Sequence, residues 1–333
     1  MVFLYITEQG AMLKKSGQRL MVEKDGAMLL DIPASKIEGV LIFGNVQFTT
    51  QAVQLLFQHG IEMALFTSHG KLLGQLTSPL TKNITLRQAQ YARYSDADFI
   101  LSLARSIVRA KMANSLEFVR EFSHNHPDTD LAEETSDLAH HCSRIDSQGD
   151  LSALLGLEGA GARAYFHAFA KMVRHSFVFT GRRRHPSPDP VNALLSLGYT
   201  LMYNEISSLL DGLGFDPFLG FYHQPHYGHA TLASDLMEEF RTPLIDRFTL
   251  NMINNRIFQE EDFYYHTASR SIYLKEEPRK RYFLEYEGFI TRPMISHESS
   301  SDIDFRKLFR QQAERLKHTI VTGEAYCPYT FHW

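Results

Sequence analysis

Three groups of side chains with metal-binding chemistry lie far apart in this chain: Glu158 in LEGAGARAYF, His223 in DPFLGFYH, and Asp235, Glu238 and Glu239 in ASDLMEEFR. An imidazole and several carboxylates drawn into one pocket form a donor set for a hard or borderline divalent cation. A cation held that way activates water or a hydroxyl beside a phosphodiester. Such chemistry requires a fold that brings the three groups together.

The elements that carry them can be read locally. Asp150 is placed to cap a helix beginning LSALLGLEGAGARAYFHAFAKMV, which puts Glu158 inside it. Gly156, Gly159 and Gly161 cost about 1 kcal/mol each relative to alanine in a helix interior, so this helix is expected where another backbone or a ligand comes close. Glu158 has Leu154, Leu155, Ala162 and Phe166 at helix-neighbour offsets and needs a cation or a basic partner, the alternative being a salt bridge with Arg163 or a C-terminal arginine. His223 closes a turn-rich loop. Asp235 and Glu238 are three apart on a helical segment and share a face, with Arg241 three beyond Glu238 to relieve their repulsion. His223, His226 and His229 also allow a zinc reading, that of a hydrolase of small substrates. His124, His126, His140, His141 and Cys142 meet no ligand spacing of a recognised zinc module.

With 333 residues, 44% hydrophobic and 22% charged, the chain has room for two domains and a substantial core. It contains no apolar run of membrane-spanning length and no export signal, and it has only two cysteines, Cys142 and Cys327; a cytoplasmic protein is expected. The formal net charge of -4 argues against a protein that coats nucleic acid by global attraction. Local charge points the other way. From Gly159 to His185 there is no acid, while Arg163, Lys171, Arg174, Arg182, Arg183 and Arg184 are all basic, a candidate phosphate-binding surface beside Glu158.

The first eighty residues read as short strands with turns at Gly10, Gly17 and Gly26, each expected to close a hairpin. A short helix capped by Thr49 or Thr50 and stopped by Gly60 is set among them. After Pro79 the apolar period changes from two to 3.6, predicting one long helix or two joined near Ser95, and helical character for the rest. The expected architecture is α+β: a small N-terminal β-rich dimerisation domain over residues 1–85 and a larger all-helical catalytic domain over 86–333. Unpaired strand edges in the first are a natural dimerisation surface. The loop RRRHPSPDP and the amphipathic helix after it give Asn192 and Tyr199 structural places.

In these residues the chain resembles the CRISPR-associated integrase and endonuclease family, the first of the two universal spacer-acquisition proteins. The resemblance rests on GLEGAGARAYF, on RRRHPSPDPVNALLSLGYTLMYNEI and on DGLGFDPFLGFYHQPHYGHATLASDLMEEFR, in order and correctly spaced. It implies a metal-dependent DNA endonuclease and integrase using Mg²⁺ or Mn²⁺, acting on double-stranded and branched DNA. It also implies a homodimer that joins a second, smaller spacer-acquisition protein, with no membrane partner. The implied reaction is transesterification, in which a 3′-hydroxyl attacks a backbone phosphodiester. Carried over residue by residue, the implied metal ligands are Glu158, His223 and Glu238, with Asp235 a further catalytic carboxylate that some members require. Some members have Asp where this chain has Glu238, which leaves open whether Asp235 or Glu238 is the direct ligand. A DNA-binding scaffold without catalysis is the alternative reading.

Overall fold

The computed structural model describes residues 2–70, 72–77, 84–184, 186–294 and 303–331; His185 and the segment 78–83, where the change of period was expected, lie outside the described residues. The chain divides into two compact units, Met1–Leu80 with Arg279–Glu287, and Thr81–Pro278 with Gly288–Trp333.

The first unit holds strands β1 (Val2–Ile6), β2 (Met12–Ser16), β3 (Arg19–Lys24), β4 (Ala27–Pro33), β5 (Ile37–Phe43) and β6 (Gln47–Phe48), helix α1 (Thr50–Gln58), and strands β7 (Glu62–Phe66) and β8 (Leu72–Leu76). They form two four-stranded sheets, ordered β1-β5-β7-β8 and β4-β3-β2-β6. Thr49 caps α1 by accepting the Ala52 N–H at 3.2 Å. Two of the three expected hairpins are present, β2–β3 around Gly17 and β3–β4 around Asp25-Gly26, where both turn residues adopt positive φ. Gly10 differs. Its φ of 81° turns the chain from one sheet into the other, because β1 pairs in parallel with β5 and not with β2. Leu13, Leu20, Ile42, Leu55, Leu56 and Met63 meet in the core between the sheets and α1.

The second unit runs through α2 (Ile84–Tyr94), α3 (Ala97–Asn125), α4 (Ala132–Ser143), α5 (Leu151–Met172), α6 (Pro190–Leu213) and α7 (Thr231–Met237). A 3-10 turn, Glu238–Phe240, and a π-helical turn, Arg241–Asp246, lead into α8 (Arg247–Asn254). Strands β9 (Phe263–His266) and β10 (Ser271–Leu274), helix α9 (Glu276–Ile290) and helix α10 (Phe305–Thr322) complete it, with Arg279–Glu287 of α9 counted to the first unit. The unit is mainly but not wholly helical: β9 and β10 pair antiparallel, Phe263 opposite Leu274, which corrects the expectation of an all-helical domain. Alternating residues on each strand find partners across the ladder, and a four-residue turn containing Arg270 at φ 54° closes the hairpin without glycine.

The expected long helix is two. Asp96 ends the break at Ser95 by accepting the Phe99 N–H at 3.0 Å and starts α3, which packs on α4, α5 and the 238–246 segment. At Gly161 a Cβ would stand 2.5 Å from the Met112 methyl of α3, the end of a flexible side chain that can move aside, and Gly156 and Gly159 face open space.

Candidate metal and phosphate site

Glu158 lies on α5, capped as expected by Asp150, which accepts the Ala153 N–H at 2.8 Å. His223 lies on the loop after α6. The helix ends at Gly214, whose φ of 94° only glycine adopts at little cost, and the loop returns to α7 through Phe215–Ala230. At Gly220 the loop meets α7 so closely that a Cβ would sit 2.7 Å from the Thr231 carbonyl carbon and 2.9 Å from Asp235 Oδ2.

Asp235 anchors that contact. Its Oδ2 accepts the N–H groups of Phe221 (2.6 Å) and Tyr222 (3.0 Å), and its Oδ1 accepts both the N–H and the Nδ1–H of His223, each at 2.8 Å. Three successive backbone donors and one ring donor occupy a carboxylate that is 1% exposed. An acceptor-only carboxylate makes Nδ1 the protonated nitrogen of the neutral ring, so His223 turns the lone pair of Nε2 outward, 3.5 Å from Glu238 Oε1.

Glu238 begins the 3-10 turn with its side chain 1% exposed. Its Oε2 lies 2.7 Å from the Lys111 ammonium and 2.9 Å from Arg241 Nε. Burial pushes the Glu238 carboxyl up, but Arg241 and Lys111 outweigh it and hold the group well below the usual carboxylate range. Lys111, from α3, also pairs with Glu158, so its ammonium stands between the two carboxylates. Burial pulls Lys111 down, and Glu238 and Glu158 more than offset it, so the ammonium is held charged. The Tyr222 hydroxyl donates to Glu158 Oε2 at 3.0 Å, and burial followed by the Glu158 charge keeps that hydroxyl protonated.

Glu158, His223, Asp235 and Glu238 therefore come to one place. Among the described residues, however, no three His, Cys, Asp or Glu groups stand close enough to hold a metal ion as they are; the Lys111 ammonium spans Glu158 and Glu238. In kind the donors fit a divalent cation: two carboxylates already share a positive charge, and a tautomerically fixed imidazole nitrogen faces one of them. Glu239 faces away. It accepts from the Tyr326 hydroxyl at 2.7 Å and from the Tyr329 N–H, and burial pushes its carboxyl up to about 8. His229 stacks on Tyr203 with ring centres 5.1 Å apart and meets Ser234 Oγ at 2.9 Å, and among the described residues it forms no metal-holding group with His223 and His226.

Beside the carboxylates lies a cavity of about 140 Å³ whose lining includes Lys111, Glu158, Arg182, Arg184 and Arg241. Tyr199 forms part of its wall, between the guanidinium carbons of Arg241 and Arg182, 4.8 and 5.2 Å from the ring centre. The Tyr199 hydroxyl donates to Asp246 Oδ1 and the Tyr165 hydroxyl to Oδ2 at 2.8 Å, so the buried Asp246 ties α5 and α6 to the π turn. Arg182 is committed within the protein, donating to Asn192 Oδ1 at 2.9 Å and Ser196 Oγ at 3.1 Å. Asn192 is structural as expected: buried, it also accepts the Arg183 N–H at 2.8 Å and donates to the Gly181 carbonyl at 3.0 Å. Lys171 pairs with Glu134 at 2.5 Å and Arg174 with Asp128 at 3.5 Å, whereas Arg163, Arg183 and Arg184 are exposed.

Lys111 and Tyr222 were not found by sequence reasoning. A lysine one turn after Ile107 and Val108, on the buried face of α3, was the signal for the first. For Tyr222 there was none beyond its place next to His223.

Comparison with known proteins places these observations in a group. The family described as CRISPR associated protein Cas1 matches residues 4–288. The CRISPR-associated endonuclease Cas1 1 of Moorella thermoacetica is 31% identical over 337 residues, 98% of each chain. Its counterpart Cas1 1 from Chlorobaculum tepidum is 32% identical over 291 residues, 85% of this chain and 84% of the relative. Among solved structures, a chain of a Cas6-RT-Cas1–Cas2 complex is similar with a TM-score of 0.85 and 27% identity, over 99% of this chain and 36% of that longer one. A casposase bound to integration product shares the fold, with a TM-score of 0.87 at 21% identity over 99% of this chain and 93% of that one.

Proposed function

The chain belongs to the CRISPR-associated Cas1 family, the endonucleases and integrases of spacer acquisition, and from that premise we propose that Glu158, His223 and Glu238 are the ligands of its divalent cation, Mg²⁺ or Mn²⁺. The observation that carries this reading is the meeting of two carboxylates and one imidazole from three separate elements around a shared positive charge. In this reading Asp235 is a positioning residue, since its oxygens are occupied by the loop that presents His223. That favours Glu238 over Asp235 as the direct ligand.

A divalent cation bound there supplies Lewis-acid stabilisation to the attacking and leaving oxygens of a phosphodiester. The protein does the rest. Asp235 fixes the tautomer and aim of His223, Tyr222 orients Glu158, and Arg241, held against Tyr199, keeps Glu238 ionised. Arg163, Arg183 and Arg184 present charge to the DNA backbone, and the pairs of Lys171 and Arg174 would open before those side chains join them. With a 3′-hydroxyl as nucleophile the product is a joined strand; with water it is a cut one.

The Cas6-RT-Cas1–Cas2 complex supports assembly with a smaller Cas protein, and the casposase bound to integration product supports a DNA substrate. A homodimer through the N-terminal unit is supported by the edge strand β4, where Met28 and Leu29 are exposed. Among the described residues no helix is long and apolar enough to cross a membrane. The test is strand joining and cleavage of branched DNA with Mn²⁺ by Glu158→Gln and His223→Ala. Loss of both activities in folded protein is expected. Full activity in either variant refutes the ligand assignment, and DNA binding without turnover in the unaltered protein would favour the scaffold reading.

A further inference from the structure

Three elements contribute to one small space: α3 a lysine, α5 a glutamate and the 3-10 turn a second glutamate. Two carboxylates sharing a site without a cation repel, and one of them takes up a proton. Here the Lys111 ammonium lies between them, on a side chain only 19% exposed. The other cation at the site is held differently. Arg241 is largely covered, its Nε is paired with Glu238 at 2.9 Å and its guanidinium is fixed over the Tyr199 ring. A guanidinium stacked on a ring is locked in place, whereas an ammonium is a compact charge on a four-carbon stem that rotates freely. Lys111 also lines the cavity beside the carboxylates, with Ser115, Arg184 and Arg241 on the walls, so its stem has somewhere to turn.

Resting on the ligand reading above, we propose that Lys111 is the resident counter-ion of the site. It occupies the place between Glu158 and Glu238 in metal-free protein, yields it to the divalent cation, and turns into the adjoining cavity. Two consequences follow from charge alone. Without metal, Lys111 pairs with both carboxylates and holds them in place, so the ligands are ready and the helices that carry them do not splay. With metal, displacement of the ammonium costs binding energy, which makes occupancy responsive to the concentration of the cation. The displaced ammonium adds a further positive charge to the wall that Arg182, Arg184 and Arg241 already form, on the side where a phosphate would lie.

The experiment is calorimetric titration of the full chain with MnCl₂, comparing unaltered protein, Glu158→Gln and Lys111→Met. The expected result is that Glu158→Gln binds Mn²⁺ at least about ten-fold more weakly and Lys111→Met on the order of ten-fold more tightly, with a lower melting temperature in EDTA that Mn²⁺ restores. If Glu158→Gln weakens binding while Lys111→Met binds no more tightly than unaltered protein, the counter-ion role is overturned and the ligand assignment stands. If Glu158→Gln binds normally, the ligand assignment falls and the counter-ion role falls with it. Unaltered protein provides a measurement that requires no variant to fold. Acetylation of Lys111 by acetic anhydride, read by mass spectrometry, should rise several-fold on going from EDTA to saturating MgCl₂, and an unchanged yield overturns the proposal.

Discussion

Asp235 Oδ1 accepts both the backbone N–H and the ring Nδ1–H of His223 at 2.8 Å, so one oxygen sets the position and the tautomer of that imidazole. The same carboxylate takes the N–H groups of Phe221 and Tyr222. Replacing it with Asn keeps the shape and puts an amide donor against these donors. We expect Asp235→Asn to lose roughly 1–3 kcal/mol of stability and to bind Mn²⁺ about 10–100-fold more weakly, with strand joining reduced in step. Urea unfolding and Mn²⁺ titration of one preparation check both; unchanged affinity would mean that His223 needs no such anchor.

Gly220 is the second fastening of that loop. A methyl there meets the Thr231 backbone at 2.7 Å, and neither backbone can yield independently. Gly220→Ala should therefore cost about 1–3 kcal/mol by overpacking and displace His223 while leaving Glu158 in place. A melting temperature equal to that of the unaltered protein would refute this close approach.

Asp246 provides a pH test. Burial raises its carboxyl above the ordinary value although Tyr199 and Tyr165 donate to it, so the folded chain holds this proton to higher pH than the unfolded chain does. Its contribution to stability is present in full below the unfolded value, about 4, and is lost as pH rises through the folded value. The stability of unaltered protein relative to Asp246→Asn should thus fall as pH rises from about 4. Urea midpoints at a series of pH values measure the difference, and a rise would contradict the burial argument.

Much of the scaffold was legible because it follows from local rules. Thr49 and Asp150 each accept from a backbone N–H three residues on, the long helical stretch breaks at Ser95, and Gly17 and Asp25-Gly26 turn hairpins as their types predict. Gly10 has the same local appearance, yet which strand β1 pairs with is decided by the distant β5. The β9–β10 hairpin was missed because its turn is closed by Arg270 at positive φ, where a sequence reader looks for glycine. The site was legible in its residue types but not in its pairings. Nothing in the spacing of Glu158 predicts Lys111, 47 residues earlier, as its partner in place of Arg163, and nothing in DLMEEF shows that Asp235 turns to a loop while Glu238 turns to Lys111 and Arg241.

Salt dependence tests the role of the basic stretch. Arg163, Arg183 and Arg184 are exposed, so their combined replacement by alanine should flatten the dependence of DNA affinity on salt by roughly one unit of slope for each phosphate left without its arginine. Replacing Arg182 should lower the melting temperature instead, since its donors serve Asn192 and Ser196. A slope unaffected by the triple replacement would move the DNA to another face.

The buried Glu239 obtains its donors from Tyr326 and Tyr329, 87 and 90 residues further along. During synthesis, the turn that carries Glu238 thus remains next to an unsatisfied buried acid until residue 329 has cleared the ribosome. A nascent chain stalled earlier would hold every proposed ligand and still lack the donors that satisfy the acid beside Glu238.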